Sequence, residues 1–212
     1  MNNRILLMIL GIVLTIFGIQ SPMLLIIPMW IFTYLFKDKL TQLFNKIPSN
    51  YRFIIAGILF GLLTEIFAIF ENISKPAEEQ FMLSTVPMLD LIYGFVYYLF
   101  VILAWYIIVR KINFSKKEIF FITGFYGVLV EQTGGVFLGI FTIPGIGLLY
   151  AFIVMFVYGL FPMLAYMITK KSFDQQRKPS NIWHYLLAAF MLFIQWAIYG
   201  NFILPLLIRL FT

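Results

Sequence analysis

The 212 residues are 62% hydrophobic and 11% charged, with a net charge of +6 and no cysteine. A soluble domain carries about 45–50% apolar and about 25% charged residues, so the composition excludes an ordinary water-soluble fold. The missing thiols exclude disulfides, thiolate nucleophiles and Cys-ligated zinc or iron–sulfur clusters.

In a bilayer every backbone polar group must be satisfied within its own element, which leaves helices or closed barrels. Barrel strands alternate apolar and polar residues over about ten positions. Here the apolar runs are continuous, so the expected class is all-α, a polytopic bundle. Arg4 and the apolar run behind it resemble a signal peptide, but no small-x-small cleavage site follows and a second apolar run starts at once. A retained span is expected.

A span needs about 20 apolar residues, and seven candidates follow in chain order. Spans 4–20 and 22–37 are short and joined by Gln20-Ser21-Pro22. Then come 52–71, 88–109, 118–141, 147–169 and 182–211, the last with Gly200-Asn201 as a potential break. If 4–37 were one broken element, six spans would remain. No linker or low-complexity stretch divides the chain, so residues 1–212 are expected to form a single membrane domain.

Basic residues set the orientation. Lys37, Lys39, Lys46 and Arg52 share one loop, Arg110, Lys111, Lys116 and Lys117 a second, and Lys170, Lys171, Arg177 and Lys178 a third. The alternate loops carry only Lys75. Positive loops stay cytoplasmic, so the N-terminus is expected inside and the C-terminus outside. The net charge then reads as a topology signal, with the bilayer and not nucleic acid as partner. Asn72-Ile73-Ser74 matches a glycosylation sequon on the outer side, and chance accounts for it as well.

An internal repeat is suggested. VYYLFVILAWYI from Val96 and VYGLFPMLAYMI from Val157 agree at seven of twelve positions. The preceding spans pair FIIAGILFGLLTE, ending at Glu65, with FFITGFYGVLVE, ending at Glu131. A duplicated parallel hairpin, spans three and four repeated as five and six, is expected. Its pseudo-axis would run along the membrane normal, where transporters build sites.

Glu65 and Glu131 carry the main functional signal. About 13 helical residues place each about 20 Å into a core of about 30 Å. A carboxylate there costs about 2.5–3.5 kcal/mol on insertion scales, so it faces protein or trapped water. Gly57, Gly61 and Glu65 lie on one helical stripe, as do Thr123, Gly127 and Glu131. The glycines are therefore expected at close helix contacts. No Lys or Arg lies mid-span, so each acid takes up a proton or holds an external cation, with Tyr, Thr, Gln and backbone as remaining partners. Protonated glutamates that merely bond neighbouring helices are the structural alternative.

Asp90, Gln132 and Gln195, with Asn201, are expected at similar depth or further out, around a polar outer cavity; the structural alternative is a helix-start or dipole position for Asp90 and interhelical bonding for Gln195 and Asn201. Glu71, Glu78 and Glu79 read as solvated loop residues, and Glu118 as a helix-start acid. Gly134-Gly135 and Pro144-Gly145 bracket the end of span five, as a plain turn or a helix break beside Glu131.

No HExxH, GxSxG, GxGxxG or P-loop occurs, and His184 is the one histidine. No cofactor and no protein metal site is expected. Three functions remain open: a proton- or cation-linked transporter, a membrane enzyme using a glutamate as general acid on an apolar lipid or isoprenoid, and a scaffold whose polar groups fix packing. Whether the chain is an enzyme, its substrate and its oligomeric state are not legible.

Overall fold

The computed structural model describes residues 3–211 apart from 74, 77, 78, 81, 174 and 175. Ser74 of the sequon and Glu78 lie outside the described residues. The architecture is all-helical. It comprises α1 (Asn3–Gly18), α2 (Ile26–Leu35), α3 (Lys37–Phe44), α4 (Ser49–Asn72), α5 (Pro87–Val109) and α6 (Lys116–Val130), then α7 (Gly135–Thr142), α8 (Ile146–Thr169), α9 (Ile182–Ile198) and α10 (Leu204–Phe211). Two short strands, β1 (Ile112–Asn113) and β2 (Lys178–Pro179), pair in parallel.

Five stretches are long and apolar enough to cross a membrane: Ser49–Asn72, Pro87–Val109, Lys116–Thr142, Ile146–Ser172 and Ile182–Phe211. These are the marks of an integral membrane protein, and they match the five longer expected spans. The first pair is shorter than expected. α1 has 16 residues, about 24 Å at 1.5 Å each, against a hydrocarbon core of about 30 Å. α2 follows a 3-10 turn over Pro22–Leu25, and the two together end at Leu35. α1 and α2 pack on each other as a hairpin whose outer member buries only Gly11 and Gly18.

α8 is the centre of the bundle. α6 packs along it most extensively, α4 lies against both α8 and α5, and α9 covers α5 and α6. Trp105, Tyr126, Tyr166, Phe53 and Phe114 are fully buried between them. The loop expected over 37–52 contains a helix, α3, because KDKLTQLF sets Phe44 inward while its charges face out; Thr41 also donates to the Ile168 carbonyl at 3.1 Å.

The basic loops converge at one end. Arg52 donates to Ser172 Oγ at 3.3 Å, and the Lys178 amide donates to the Lys111 carbonyl at 3.3 Å. α6 begins there with a capping box, in which Ser115 accepts from the Glu118 amide and Glu118 from the Ser115 amide. Glu118 also accepts from Ser180 and Tyr185, cross-linking α6 to α9.

Span five is broken. α6 stops at Val130, and Gln132 (φ 50°), Thr133 (φ 53°) and Gly134 (φ 91°) are left-handed before α7 resumes. The simple turn at residues 143–145 also exists, so the chain carries both the break and the turn. At Gly200-Asn201 the last span does not break; a π-helical turn over Tyr199–Ile203 absorbs an extra residue.

Candidate functional site

α4 and α5 run antiparallel and mesh small against large. A Cβ on Gly57 would strike Ile102, and one on Gly61 would strike the Tyr98 ring. One turn on the roles reverse, and a Cβ on Gly94 of α5 would strike the Glu65 side chain. Gly61 therefore draws the Tyr98 ring close, and Gly94 makes room for the acid. The Tyr98 hydroxyl donates to Glu65 Oε2 at 2.7 Å.

The same arrangement recurs on α6 and α8. A Cβ on Gly127 would strike Tyr158, whose hydroxyl donates to Glu131 Oε2. Glu131 caps the end of α6, where the helix breaks, so its carboxyl sits beside the left-handed turn and not in the middle of a continuous helix.

Both glutamates line one cavity of about 690 Å³. Its wall is largely apolar and aromatic, with Tyr97, Tyr150, Val154 and Trp196 among the lining residues. It extends to the loop between α4 and α5 at Lys75, Gln80 and Leu83, away from the basic end. Lys75 stays at that rim, 3.7 Å from Glu71 and near Asn72. Each acid has a tyrosine for its partner, and among the described residues no Lys or Arg stands at their level.

No protein-family model, curated protein or solved structure matches this chain. Its function must therefore be argued from the site.

The other expected site residues divide. Gln132 lines the cavity, is exposed and donates to the Tyr150 hydroxyl at 3.2 Å. Asp90 is fully buried next to Glu65. Its Oδ1 accepts from the Leu83 and Ser84 amides at 2.6 and 3.1 Å, pinning the loop before α5 onto that helix, and among the described residues its Oδ2 has no hydrogen-bond partner. Gln195 is 5% exposed and donates to the Tyr126 hydroxyl at 2.8 Å, which lies 3.3 Å from that of Tyr97. Asp90 and Gln195 thus stand behind the cavity wall. Asn201 is exposed and bonds its own helix at Ala197, so it plays no part in the cavity. Glu71, expected to be merely solvated, accepts from Ser21 and from the Met23 amide and ties the first hairpin to α4.

Sequence reasoning missed Tyr98 and Tyr158 as the partners of the acids. The two matched segments carry the signal, yet in a different register. The sequence match aligns Tyr97 with Tyr158, whereas the side chains that play equivalent roles are Tyr98 and Tyr158. One residue turns a helix by about 100°, which is enough to swap one tyrosine for its neighbour.

Proposed function

We propose that this chain is a multi-pass membrane transporter in which Glu65 and Glu131 bind a proton or small cation. The observation that carries the reading is the shared cavity, with both carboxyls on its wall and a tyrosine hydroxyl on each. Such a carboxyl is stable only as an acid or with a cation beside it. Asp90 next to Glu65 strengthens the point, since two adjacent carboxylates repel unless a proton or cation lies between them. The helix break at Glu131 adds to it, because broken helices in membranes expose backbone groups to transported ions.

The reading includes seven crossings, a cytoplasmic N-terminus and an extracytoplasmic C-terminus. The convergence of the three basic loops at one end supports the orientation. It also includes a duplicated hairpin, supported by the recurring glycine–tyrosine–glutamate geometry on α4–α5 and α6–α8, despite the shift of one residue.

Flux in proteoliposomes tests it. Glu65→Gln combined with Glu131→Gln keeps an acceptor for both tyrosines and removes both ionisable groups. We expect proton or monovalent-cation flux to fall to the level of empty liposomes, and flux equal to that of the unmodified protein would refute the reading.

One observation favours a second reading. About 690 Å³ is far more than a proton or metal ion needs and falls within the usual range of small-molecule pockets, about 300–1,000 Å³. An apolar lipid or isoprenoid would fit, with a glutamate acting as general acid. Lipid extracts separate the two, because only an enzyme changes product composition when the acids are replaced.

A further inference from the structure

A second concavity lies at the basic end, apart from the glutamates. It has a volume of about 490 Å³ and is lined by Arg110, Lys111, Arg177, Lys178, His184 and Leu187 with their neighbours. Its cations come from two different loops, held together by the β1–β2 pairing of Ile112 with Lys178. Among the described residues no acidic side chain lines it. Glu118, at the same end, is engaged by Ser115, Ser180 and Tyr185.

The two arginines are held in place. The Arg177 guanidinium donates to the Val109 carbonyl at the end of α5 and lies over the Phe173 ring, 5.0 Å from its centroid. Arg110 lies over Tyr106 at 5.4 Å. Lys111 and Lys178 are exposed, and among the described residues neither ammonium forms an ion pair. His184 accepts the Asn181 amide on Nδ1 at 3.2 Å, so in the neutral ring Nε2 carries the hydrogen and is a donor.

The membrane side of this pocket is apolar. Leu187 forms part of the wall, and Ile182, Trp183 and Leu186 beside it are exposed on α9. An exposed tryptophan is a residue of the membrane–water interface. We propose that this pocket binds the phosphate of an anionic phospholipid, with Lys111, Lys178 and His184 on the head group and an acyl chain running along the Leu186–Leu187 face. Mobile surface charge would attract any anionic membrane equally. Cations brought together from two loops beside an exposed apolar strip match a phosphate and an acyl chain at once, which diffuse surface charge does not.

Calorimetric titration of the purified chain in a neutral maltoside detergent tests this. The probes are dioctanoyl phosphatidylglycerol, dioctanoyl phosphatidylcholine and inorganic phosphate. We expect phosphatidylglycerol to bind at least about tenfold more tightly than the other two. Lys111→Gln with Lys178→Gln should weaken it by about tenfold or more, at roughly one power of ten per 1.4 kcal/mol. Lys116→Gln with Lys117→Gln removes the same charge from the same end outside the pocket and should change affinity less than about twofold. Equal binding of the two lipids, equal binding of inorganic phosphate, or equal loss in the two double variants would each overturn the proposal. All four lysines are exposed, so folding is not at stake.

Discussion

At the scale of single residues, the site depends on what the glycines allow. Tyr98 and Tyr158 reach the acids because Gly61 and Gly127 let their rings lie against the opposite helix. Tyr158→Phe removes the hydroxyl from Glu131 and leaves a half-buried acceptor short of a partner, at a cost of about 1–2 kcal/mol. We expect a lower unfolding temperature in detergent for Tyr158→Phe, and a change of less than about 1 kcal/mol for Glu131→Gln, which keeps the acceptor. Equal losses for the two would show that the hydrogen bond is not what holds the tyrosine. The partners were hidden in the sequence for a simple reason. Among 25 Phe, 12 Tyr and 4 Trp, nothing distinguishes the two tyrosines that meet acids from those that only fill space.

At the scale of elements, the break after α6 is the feature with most consequence. Three consecutive left-handed residues end the helix, and only Gly134 is suited to that conformation. A β-branched residue there is strained, at about 1–2 kcal/mol. Thr133→Gly should therefore raise stability by up to about 1 kcal/mol, and Gly134→Ala should lower it by about 1 kcal/mol. Thermal unfolding of both variants checks this; a stabilising Gly134→Ala would mean that the break is not kept in the membrane. Gly134-Gly135 marked the place in the sequence, but not the two residues before it, because Gln and Thr carry no signal for positive φ. The long apolar helices were legible from hydropathy alone. α3 was not, since eight residues with three charges read equally well as loop. The first hairpin stayed ambiguous because its apolar runs are short for a span, and its helices are shorter still.

At the scale of the whole molecule, the two ends differ in chemistry. The basic loops are knit together at one end by Arg52, Arg177 and the β1–β2 pair, while the acidic cavity reaches toward the other. The distribution of charge over the loops was legible along the chain. The shared cavity was not, because it depends on α8 placing Tyr158 and α4 placing Glu65 on a common space, which no linear pattern records. The proposed function requires these acids to exchange a proton or cation with solvent through that space. Infrared difference spectroscopy on the purified protein, recorded on stepping the pH and, at fixed pH, on adding and removing a monovalent cation, addresses it directly. We expect a carboxyl stretching change in the unmodified protein that vanishes when Glu65→Gln and Glu131→Gln are combined. A silent carboxyl region, or a change that survives in the double variant, would contradict it.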